Sequence, residues 1–325
     1  MVGDIGGTKT AMALYALDDD VRSPRFRQDF PSADYPDLDT IVRTFITASG
    51  ERADYGCFDV AGPVVQGRAT ITNLPWIMEE AALAASLGLQ RVILMNDLRA
   101  VAYAIPSLGP ADYQTLLAGE PEPHGPIAVI APGTGLGEAF LVWDGARYIA
   151  CASEGGHASF APTDDREAAL WQYMHRQLGA VSWERVCSGM GIANIYDFLH
   201  AEGRIAETGS TAAVLGKVKD RTPLIAQAAQ AGDPLARAAM EMFVGILGAE
   251  AGNLALKIMA TGGVYLAGGV PARILSLLHG ERFARAFTNK GRLSAALQRI
   301  PVHVVTVPAA LFGAAQFGLD AVRVP

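Results

Sequence analysis

Short apolar runs alternate with segments of helical periodicity along much of the chain. Strand-like runs cover residues 57–61, 91–95 and 127–131. One helical face is marked by Leu38, Ile41, Val42, Phe45 and Ile46. Buried strands of parallel sheets form continuous apolar runs, whereas apolar positions in helices recur every 3.6 residues. The alternation therefore predicts an α/β fold with largely buried strands.

Two glycine-rich turns each divide a pair of apolar runs. The first is Asp4-Ile-Gly-Gly-Thr8, and the second is Gly133-Thr-Gly-Leu-Gly137. This repetition predicts two hairpins and a weak internal duplication. Ordinary hairpin glycines would give the same pattern, but small residues also let backbone N–H groups approach a phosphate closely. The candidate phosphate-binding and nucleotide-binding residues are Asp4, Gly6, Gly7, Thr8, Gly133, Thr134, Gly135, Gly268 and Gly269.

The length and the prolines indicate how the chain is divided. With 325 residues, the chain is long enough for two domains of ordinary size. Residues 109–126 include four prolines and are predicted to form a connection. We therefore expect the first domain boundary near this segment, and two lobes would leave room for a cleft.

Composition excludes several classes of function. The net charge of -7 is spread without blocks of one sign, which argues against nucleic-acid or anionic-membrane partners. The three cysteines are far apart and lack C-x-x-C spacing, so neither a disulfide framework nor a cysteine zinc site is indicated. No apolar stretch supplies the ~20 residues of a membrane span, and the first residues do not resemble a secretory signal. These features favour a cytoplasmic location.

Asn96 and Asp97 follow a buried apolar run and precede a helical segment. They therefore stand at the carboxyl end of a strand, where α/β enzymes place ligands. Asn and Asp are also preferred helix N-caps, which is the structural alternative. Asp4 similarly suits either a turn cap or a carboxylate that holds Mg²⁺ through water.

A second group of polar residues suits a hydroxyl-rich ligand. Glu154-Gly-Gly-His157 places an acid and an imidazole in a glycine-containing loop, and Glu184 lies shortly before Ser188-Gly-Met-Gly191. Carboxylates accept hydrogen bonds from neighbouring sugar hydroxyls. The alternatives without function are that Glu184 is a solvated helix residue and that His157 is a loop histidine with a local partner. Metal binding by His157 is disfavoured, because no second His or Cys lies at ligand spacing.

Taken together, these motifs resemble the bacterial glucokinase family over nearly the whole chain. The quoted motifs occur in the family's order, and Glu184-Arg-Val-Cys-Ser-Gly189 and Gly262-Gly-Val-Tyr-Leu-Ala-Gly-Gly269 complete the set. The family belongs to the actin-like ATPase superfamily, whose ribonuclease H-like fold has two α/β lobes around a cleft. The resemblance implies a small domain of residues 1–107 and 298–325 and a large domain of residues 108–297.

The resemblance also implies a role for each motif. It makes Asp97 the general base of phosphoryl transfer from ATP, with Mg²⁺, to the C6 hydroxyl of glucose. Glucose would be held by Asn96, Asp97, Glu154, His157 and Glu184. The turns at 6–8 and 133–135 would meet the phosphates, and Gly268-Gly269 would border the adenosine. Thr72-Asn-Leu-Pro-Trp76 resembles the family's loop near the sugar. Related glucokinases suggest a homodimer.

Other functions remain open at this stage. A kinase for fructose, mannose or an N-acetylhexosamine would share the phosphate-binding elements. A sugar sensor without catalysis, or a chaperone-like or filament ATPase of the same superfamily, would share the fold. No Walker A lysine pattern is present, so a P-loop protein is excluded. Only two residues precede Gly3, and we expect the natural chain to extend further upstream.

Overall fold

The computed structural model describes residues 1–71, 74–205, 218 and 220–323. The chain divides into two compact units. The first comprises Met1–Gly109, Tyr148–Ala150 and Val307–Pro325, and the second comprises Pro110–Arg147 and Cys151–Thr306. Each unit contains an α/β core, as the alternation of apolar runs predicts.

The first unit is built on a five-stranded sheet with the order β3-β2-β1-β4-β8. Strands β1 and β2 form the predicted antiparallel hairpin, while β4 pairs in parallel with both β1 and β8. A separate three-stranded meander consists of β5, β6 and β7. The strands are β1 (Val2–Ile5), β2 (Lys9–Leu14), β3 (Phe26–Pro31), β4 (Tyr55–Val60), β5 (Val64–Val65), β6 (Arg68–Thr70), β7 (Ile77–Glu79) and β8 (Arg91–Asn96).

Among the described residues of the first unit, four α-helices cover the sheets. Helix α1 begins after the N-cap Asp37 and buries most of the apolar face predicted from its sequence. Gly313 lets α12 pack closely on α3, because a Cβ at that position would lie 1.7 Å from Ala100 O. The helices are α1 (Leu38–Ser49), α2 (Glu80–Leu87), α3 (Asp97–Ala104) and α12 (Ala309–Arg323).

The second unit is built on a six-stranded sheet with the order β12-β11-β10-β13-β14-β9. Its antiparallel hairpin β10–β11 is followed in the sheet by the parallel strands β13 and β14. The first unit has the same pattern in β2-β1-β4-β8, so the internal duplication suggested by the two turns extends to sheet topology. The strands are β9 (Tyr113–Leu117), β10 (Ile127–Pro132), β11 (Leu136–Trp143), β12 (Tyr148–Ser153), β13 (Gly263–Leu266) and β14 (Val302–Val305).

Helix α7 forms the centre of the second core. Its N-cap Asp233 accepts a hydrogen bond from Ala236 N at 2.8 Å, and Pro234 follows at the first helical position, a sequence pair typical of a helix start. Contrary to the expectation from the sequence, α7 is long and apolar enough to cross a membrane, the one such helix in the described part of the chain, but 83% of its most apolar stretch is buried inside the unit. The helices are α4 (Asp165–Leu178), α5 (Gly189–Glu202), α6 (Thr222–Gln230), α7 (Pro234–Ile258), α8 (Gly269–Arg273), α9 (Leu275–Leu278), α10 (Glu281–Thr288) and α11 (Ser294–Leu297).

Two assignments made from the sequence differ from the structure. The predicted connection at 109–126 contains β9, which pairs antiparallel with β14. Strand β14 in turn lies between β13 and β9, so residues 298–306 belong to the second unit. The sequence boundary had assigned them to the first unit because the C-terminal helix that follows packs there. The pairing of β14 with β13 and β9 joins residues that are distant in the sequence, so no short-range pattern predicts it.

Candidate active site

The carboxyl ends of three parallel strands bring four polar residues together in the first unit. In the sheet register Asp4 of β1 lies opposite Asp59 of β4, and Val60 lies opposite Asn96 of β8. Asp97 follows directly as the first residue of α3. The edge therefore gathers the predicted Asp4, Asn96 and Asp97 with one residue that the sequence analysis did not single out, Asp59.

Asp97 is held by one of its two carboxylate oxygens. Its Oδ1 accepts hydrogen bonds from Leu98 N at 2.8 Å and from Asn96 Nδ2 at 3.0 Å. Among the described residues, the hydrogen bonds of the Asp97 carboxyl all involve Oδ1, which leaves Oδ2 available to a ligand. The pKa of Asp97 is raised to about 6, mainly by burial. The hydrogen bond from Leu98 N lowers this pKa, whereas the negative charge of Asp4 raises it. A fixed carboxyl with such a pKa suits proton transfer near neutral pH.

Asn96 is both an N-cap and a support for Asp97. Its Oδ1 accepts from Leu98 N at 3.0 Å and from Arg99 N at 3.2 Å. Its Nδ2 donates to Gly62 O at 3.1 Å and to Asp97. Both amide hydrogens are therefore used within the unit. Asn96 can donate to a sugar only by giving up one of these bonds.

Asp59 is a fully buried acid beside Asp4. Neither of its oxygens meets a donor among the described residues other than the neighbouring carboxyl. Burial is the main cause that raises the pKa of Asp59 well above its ordinary value. The negative charges of Asp4 and Asp97 raise it further. Burial of Asp59 therefore favours its protonated form, which can donate a hydrogen bond to Asp4. The pKa of Asp4 is itself raised by burial and lowered by this hydrogen bond.

Ser32 anchors the first glycine turn. Its Oγ donates to Gly6 O at 2.7 Å, and its backbone N–H donates to Thr8 O at 3.0 Å. Gly6 N closes the turn on Lys9 O at 3.0 Å. The carbonyls of Gly6 and Thr8 are thus hydrogen-bonded to Ser32. The N–H groups of Gly7 and Thr8 remain available to bind an anion. Thr8 is exposed and Gly7 is half-buried.

In the second unit, the other glycine turn meets Glu184. Gly133 N donates to Gly135 O at 2.8 Å, and Gly189 N donates to Gly133 O at 2.8 Å. Glu184 Oε2 accepts from Leu136 N at 3.0 Å, and a Cβ on Gly135 would lie 2.4 Å from that oxygen. Glu184 is therefore not a solvated helix residue. Glu184, a predicted sugar-binding residue, thus lies directly against the turn predicted to bind phosphate.

Glu154 and His157 stand at the ends of a short 3₁₀ turn, Gly155–His157. Their side chains are 81% and 63% exposed, with Glu154 Oε2 3.8 Å from His157 Nε2. The turn itself is tight, since His157 N donates to Glu154 O at 3.0 Å. Two exposed polar side chains on a firmly held backbone are free to contact a ligand.

Gly268 and Gly269 follow β13 and are exposed. A Cβ on Gly268 would lie 2.8 Å from Pro132 O, next to the Gly133 turn, whereas a Cβ on Gly269 would meet nothing within 4 Å. The structure thus brings the two predicted nucleotide-binding elements of the second unit together. In the first unit, Trp76 of the predicted sugar loop is buried in the core, while Thr72 and Asn73 lie outside the described residues.

Comparisons with known proteins agree on one family. A family model described as Glucokinase matches residues 1–321. A glucokinase from Nostoc punctiforme is 39% identical over 331 residues, covering 97% of each chain. The crystal structure of a glucokinase from an Antarctic psychrotroph is 33% identical with a TM-score of 0.85, covering 98% of both chains.

A more distant structure extends the likeness of fold. A ROK family glucokinase from Streptomyces griseus, crystallised with glucose and AMPPNP, has a TM-score of 0.66 and covers 98% of each chain at 22% identity. The expected two-lobed actin-like ATPase fold class is confirmed by these neighbours.

Proposed function

The chain belongs to the glucokinase family and phosphorylates glucose with ATP, and we propose that Asp97 is the general base of this reaction. The observation that carries the proposal is the geometry of its carboxyl group. Oδ1 is fixed by Leu98 N and Asn96 Nδ2, Oδ2 is left for a substrate hydroxyl, and the pKa is about 6. A base that is fixed, partly buried and mostly ionised at pH 7 is what the proton transfer requires.

Asp97 takes up the proton that the sugar loses. As the C6 hydroxyl oxygen bonds to the γ-phosphorus of ATP, the bond from that phosphorus to the bridging oxygen breaks and ADP leaves. The hydroxyl proton passes to Asp97 Oδ2. Because the transition state of phosphoryl transfer is loose, most of the catalysis comes from alignment and from neutralising phosphate charge.

We assign glucose recognition to Glu154, His157 and Glu184, with Asn96 supporting the base. The carboxylate of Glu154 can accept hydrogen bonds from adjacent hydroxyls, and its exposure leaves both oxygens available. Glu184 uses Oε2 for Leu136 N and keeps Oε1 for the sugar. The donors of Asn96 are already engaged, so its main contribution is to orient Asp97.

The backbone turns suit the phosphates of ATP. Gly7 and Thr8 in the first unit, and Thr134 and Gly135 in the second, offer N–H groups at turns whose carbonyls are bonded within the chain. Gly268 and Gly269 lie next to the second turn and are proposed to border the adenosine. Backbone donors bind anions without requiring a basic surface, consistent with the acidic net charge.

The residues fit a Mg²⁺ ion held largely by water. Among the described residues no group of three or more His, Cys, Asp or Glu side chains could hold a metal directly. Mg²⁺ in kinases keeps several waters and takes only one or two carboxylates besides the phosphates. Asp4 would hold it through water. When bound, the ion neutralises charge on the phosphates of ATP.

A sugar panel tests the substrate assignment. ADP release from MgATP should depend on glucose and be much weaker with fructose, mannose or N-acetylglucosamine. Replacing Glu154 with Gln should raise the KM for glucose while leaving the KM for ATP unchanged. Release without any sugar would instead favour an ATPase. Cytoplasmic location and a homodimer remain predictions, and the homodimer can be checked by sedimentation.

A further inference from the structure

Two glutamates are buried together in the second unit, and the reaction proposed above uses neither. Glu138 of β11 is 1% exposed and Glu250 of α7 is 0% exposed. Glu250 accepts hydrogen bonds from Asn253 Nδ2 at 2.9 Å and from Lys257 Nζ at 3.3 Å. In contrast, no N–H or hydroxyl donor reaches either oxygen of Glu138 among the described residues. An unpaired carboxylate at such a position would be costly.

A shared proton resolves this conflict. The carboxyl of Glu250 is the partner that can share this proton, since a hydrogen bond between the two groups raises the pKa of Glu138 and lowers that of Glu250. Burial, followed by the negative charge of Glu250, raises the pKa of Glu138 to about 8. At neutral pH Glu138 is therefore protonated and donates to Glu250. Glu250 is the better anion, because it has the amide and lysine donors.

Glu138 also touches the turn that carries Glu154 and His157. A Cβ on Gly155 would lie 1.9 Å from Glu138 Oε2, and a Cβ on Gly156 would lie 2.1 Å from Leu136 O. The backbone of this turn therefore rests directly on β11 and on the buried carboxyl. Glycine is needed at both positions because no space remains for a side chain.

The exposed side chains of the turn depend on this support. Glu154 and His157 contact one another at 3.8 Å but are otherwise largely exposed, so their position is set by the backbone beneath them. A displacement of about 1 Å in groups that position a substrate can cost roughly 100-fold in rate. The carboxyl under Gly155 is thus well placed to affect glucose recognition without touching the sugar.

We propose that Glu138 is a positioning residue for glucose, whose buried carboxyl, packed beneath Gly155 and beside Glu250, fixes the Gly155–His157 turn in the position that glucose binding requires. The proposal rests on the assignment of Glu154 and His157 to glucose. Glu138 does not contact the reacting atoms. It acts through the backbone of the turn.

The charged and titratable groups around the pair define what happens when the proton is lost. Lys257 faces Glu250, and Lys290 Nζ donates to Asn253 Oδ1 at 2.6 Å and to Ala249 O at 2.9 Å. Cys187 is fully buried nearby, and burial raises its pKa well above the ordinary range, so it stays neutral. Above about pH 8 the pair holds two negative charges, one of them beneath Gly155. The resulting repulsion is expected to loosen the turn.

The test compares Glu138→Leu and Glu138→Gln with wild type. Glu138→Leu removes the polar contact, and we expect the KM for glucose to rise roughly 10- to 100-fold with a much smaller change in the KM for ATP. Glu138→Gln can still donate to Glu250 without a titrating proton. It should keep a near-wild-type KM at pH 7 and lose the rise in KM that wild type shows between pH 7 and 9.5.

Glu167→Gln is the matched control. Glu167 is also a buried glutamate of the second unit, but among the described residues its carboxyl accepts hydrogen bonds from Thr163 and none from residues 154–157. Its replacement should leave the KM for glucose and its pH profile unchanged, whatever its effect on stability.

Each outcome has a distinct meaning. A folded Glu138→Leu variant with wild-type KM for glucose would overturn the proposal. If that variant does not fold, Glu138→Gln decides, since an alkaline rise in KM equal to that of wild type would exclude the shared proton. A Glu154→Ala variant with unchanged KM for glucose would instead refute the assignment of the sugar site on which the proposal rests.

Discussion

Asn96 Nδ2 donates a 3.0 Å hydrogen bond to Asp97 Oδ1. The Oδ1 atom of Asn96 caps α3, the helix that begins at Asp97. One side chain therefore fixes both the base and the element that carries it. Replacing Asn96 with Ala should lower kcat roughly 10- to 100-fold through misorientation of Asp97 and destabilise the fold by about 1 kcal/mol through loss of the cap.

Asn96→Asp provides the matched comparison. It keeps an acceptor for the cap but places a second negative charge beside Asp97, which should raise the pKa of Asp97. Steady-state kinetics and thermal unfolding of both variants test this account. If Asn96→Ala raised only the KM for glucose and left kcat intact, Asn96 would be a sugar ligand rather than a support for the base.

The raised pKa of Asp97 sets an acid limit on activity. A general base works only when ionised, so kcat/KM for glucose should fall as the pH drops through about 6 and level off above it. The profile should be measured with saturating MgATP between pH 4.5 and 8. A plateau that continues unchanged to pH 4.5 would mean that a group with an ordinary carboxyl pKa, or no titrating base, limits the rate.

Asp59 should make stability depend on pH. Its folded pKa lies above the unfolded value of 3.8, so the stability it contributes at low pH is lost as the pH rises toward the folded pKa. Asp59→Asn can still donate to Asp4 but cannot ionise. We expect it to be more stable than wild type by roughly 1–3 kcal/mol at pH 8, with little difference near pH 4.

Urea unfolding of wild type and Asp59→Asn across this pH range measures that difference. The kcat of the variant should stay within a few-fold of wild type, because Asp59 is buried behind Asp4. Asp59→Ala, which removes the donor to Asp4 and leaves a cavity, should be destabilised at every pH. Equal pH dependence in wild type and Asp59→Asn would show that Asp59 is not the titrating group.

Gly268 and Gly269 should respond differently to alanine. Gly268 has a φ of 81° and would bring a Cβ within 2.8 Å of Pro132 O, so Gly268→Ala combines backbone strain with a clash. We expect a loss of roughly 1–3 kcal/mol in unfolding free energy and a higher KM for ATP. Gly269→Ala, with nothing within 4 Å of the new methyl group, should unfold like wild type. Equal stability of the two variants would contradict the packing described here.

The sequence alone predicts those elements whose pattern lies within a short stretch of the chain. The glycine turns, the N-cap of α7 and the strand that ends at Asn96 all follow from residues within a few positions of one another. The family resemblance then predicts which of these turns contact the phosphates. The structure adds contacts between distant elements, such as Glu184 with Leu136, that no short-range pattern contains.

The buried acids show why the rest was missed. Asp59 and Glu138 each interrupt an apolar strand, and that interruption was the one available signal. Their importance depends on partners set by sheet register or by helix packing, namely Asp4 on β1 and Glu250 on α7. Strand β9 was missed for a similar reason, since its partner in the sheet, β14, follows far along the chain.

The central claim is that Asp97 is the base, and the most direct measurement is glucose-dependent ADP release by wild type and Asp97→Asn at pH 7.5, with glucose binding followed in parallel by calorimetry. Asparagine keeps the shape of the side chain but cannot accept the proton. We predict that kcat falls at least about 100-fold, the usual contribution of a general base, while glucose still binds. A variant that turns over glucose at near the wild-type rate would contradict the account.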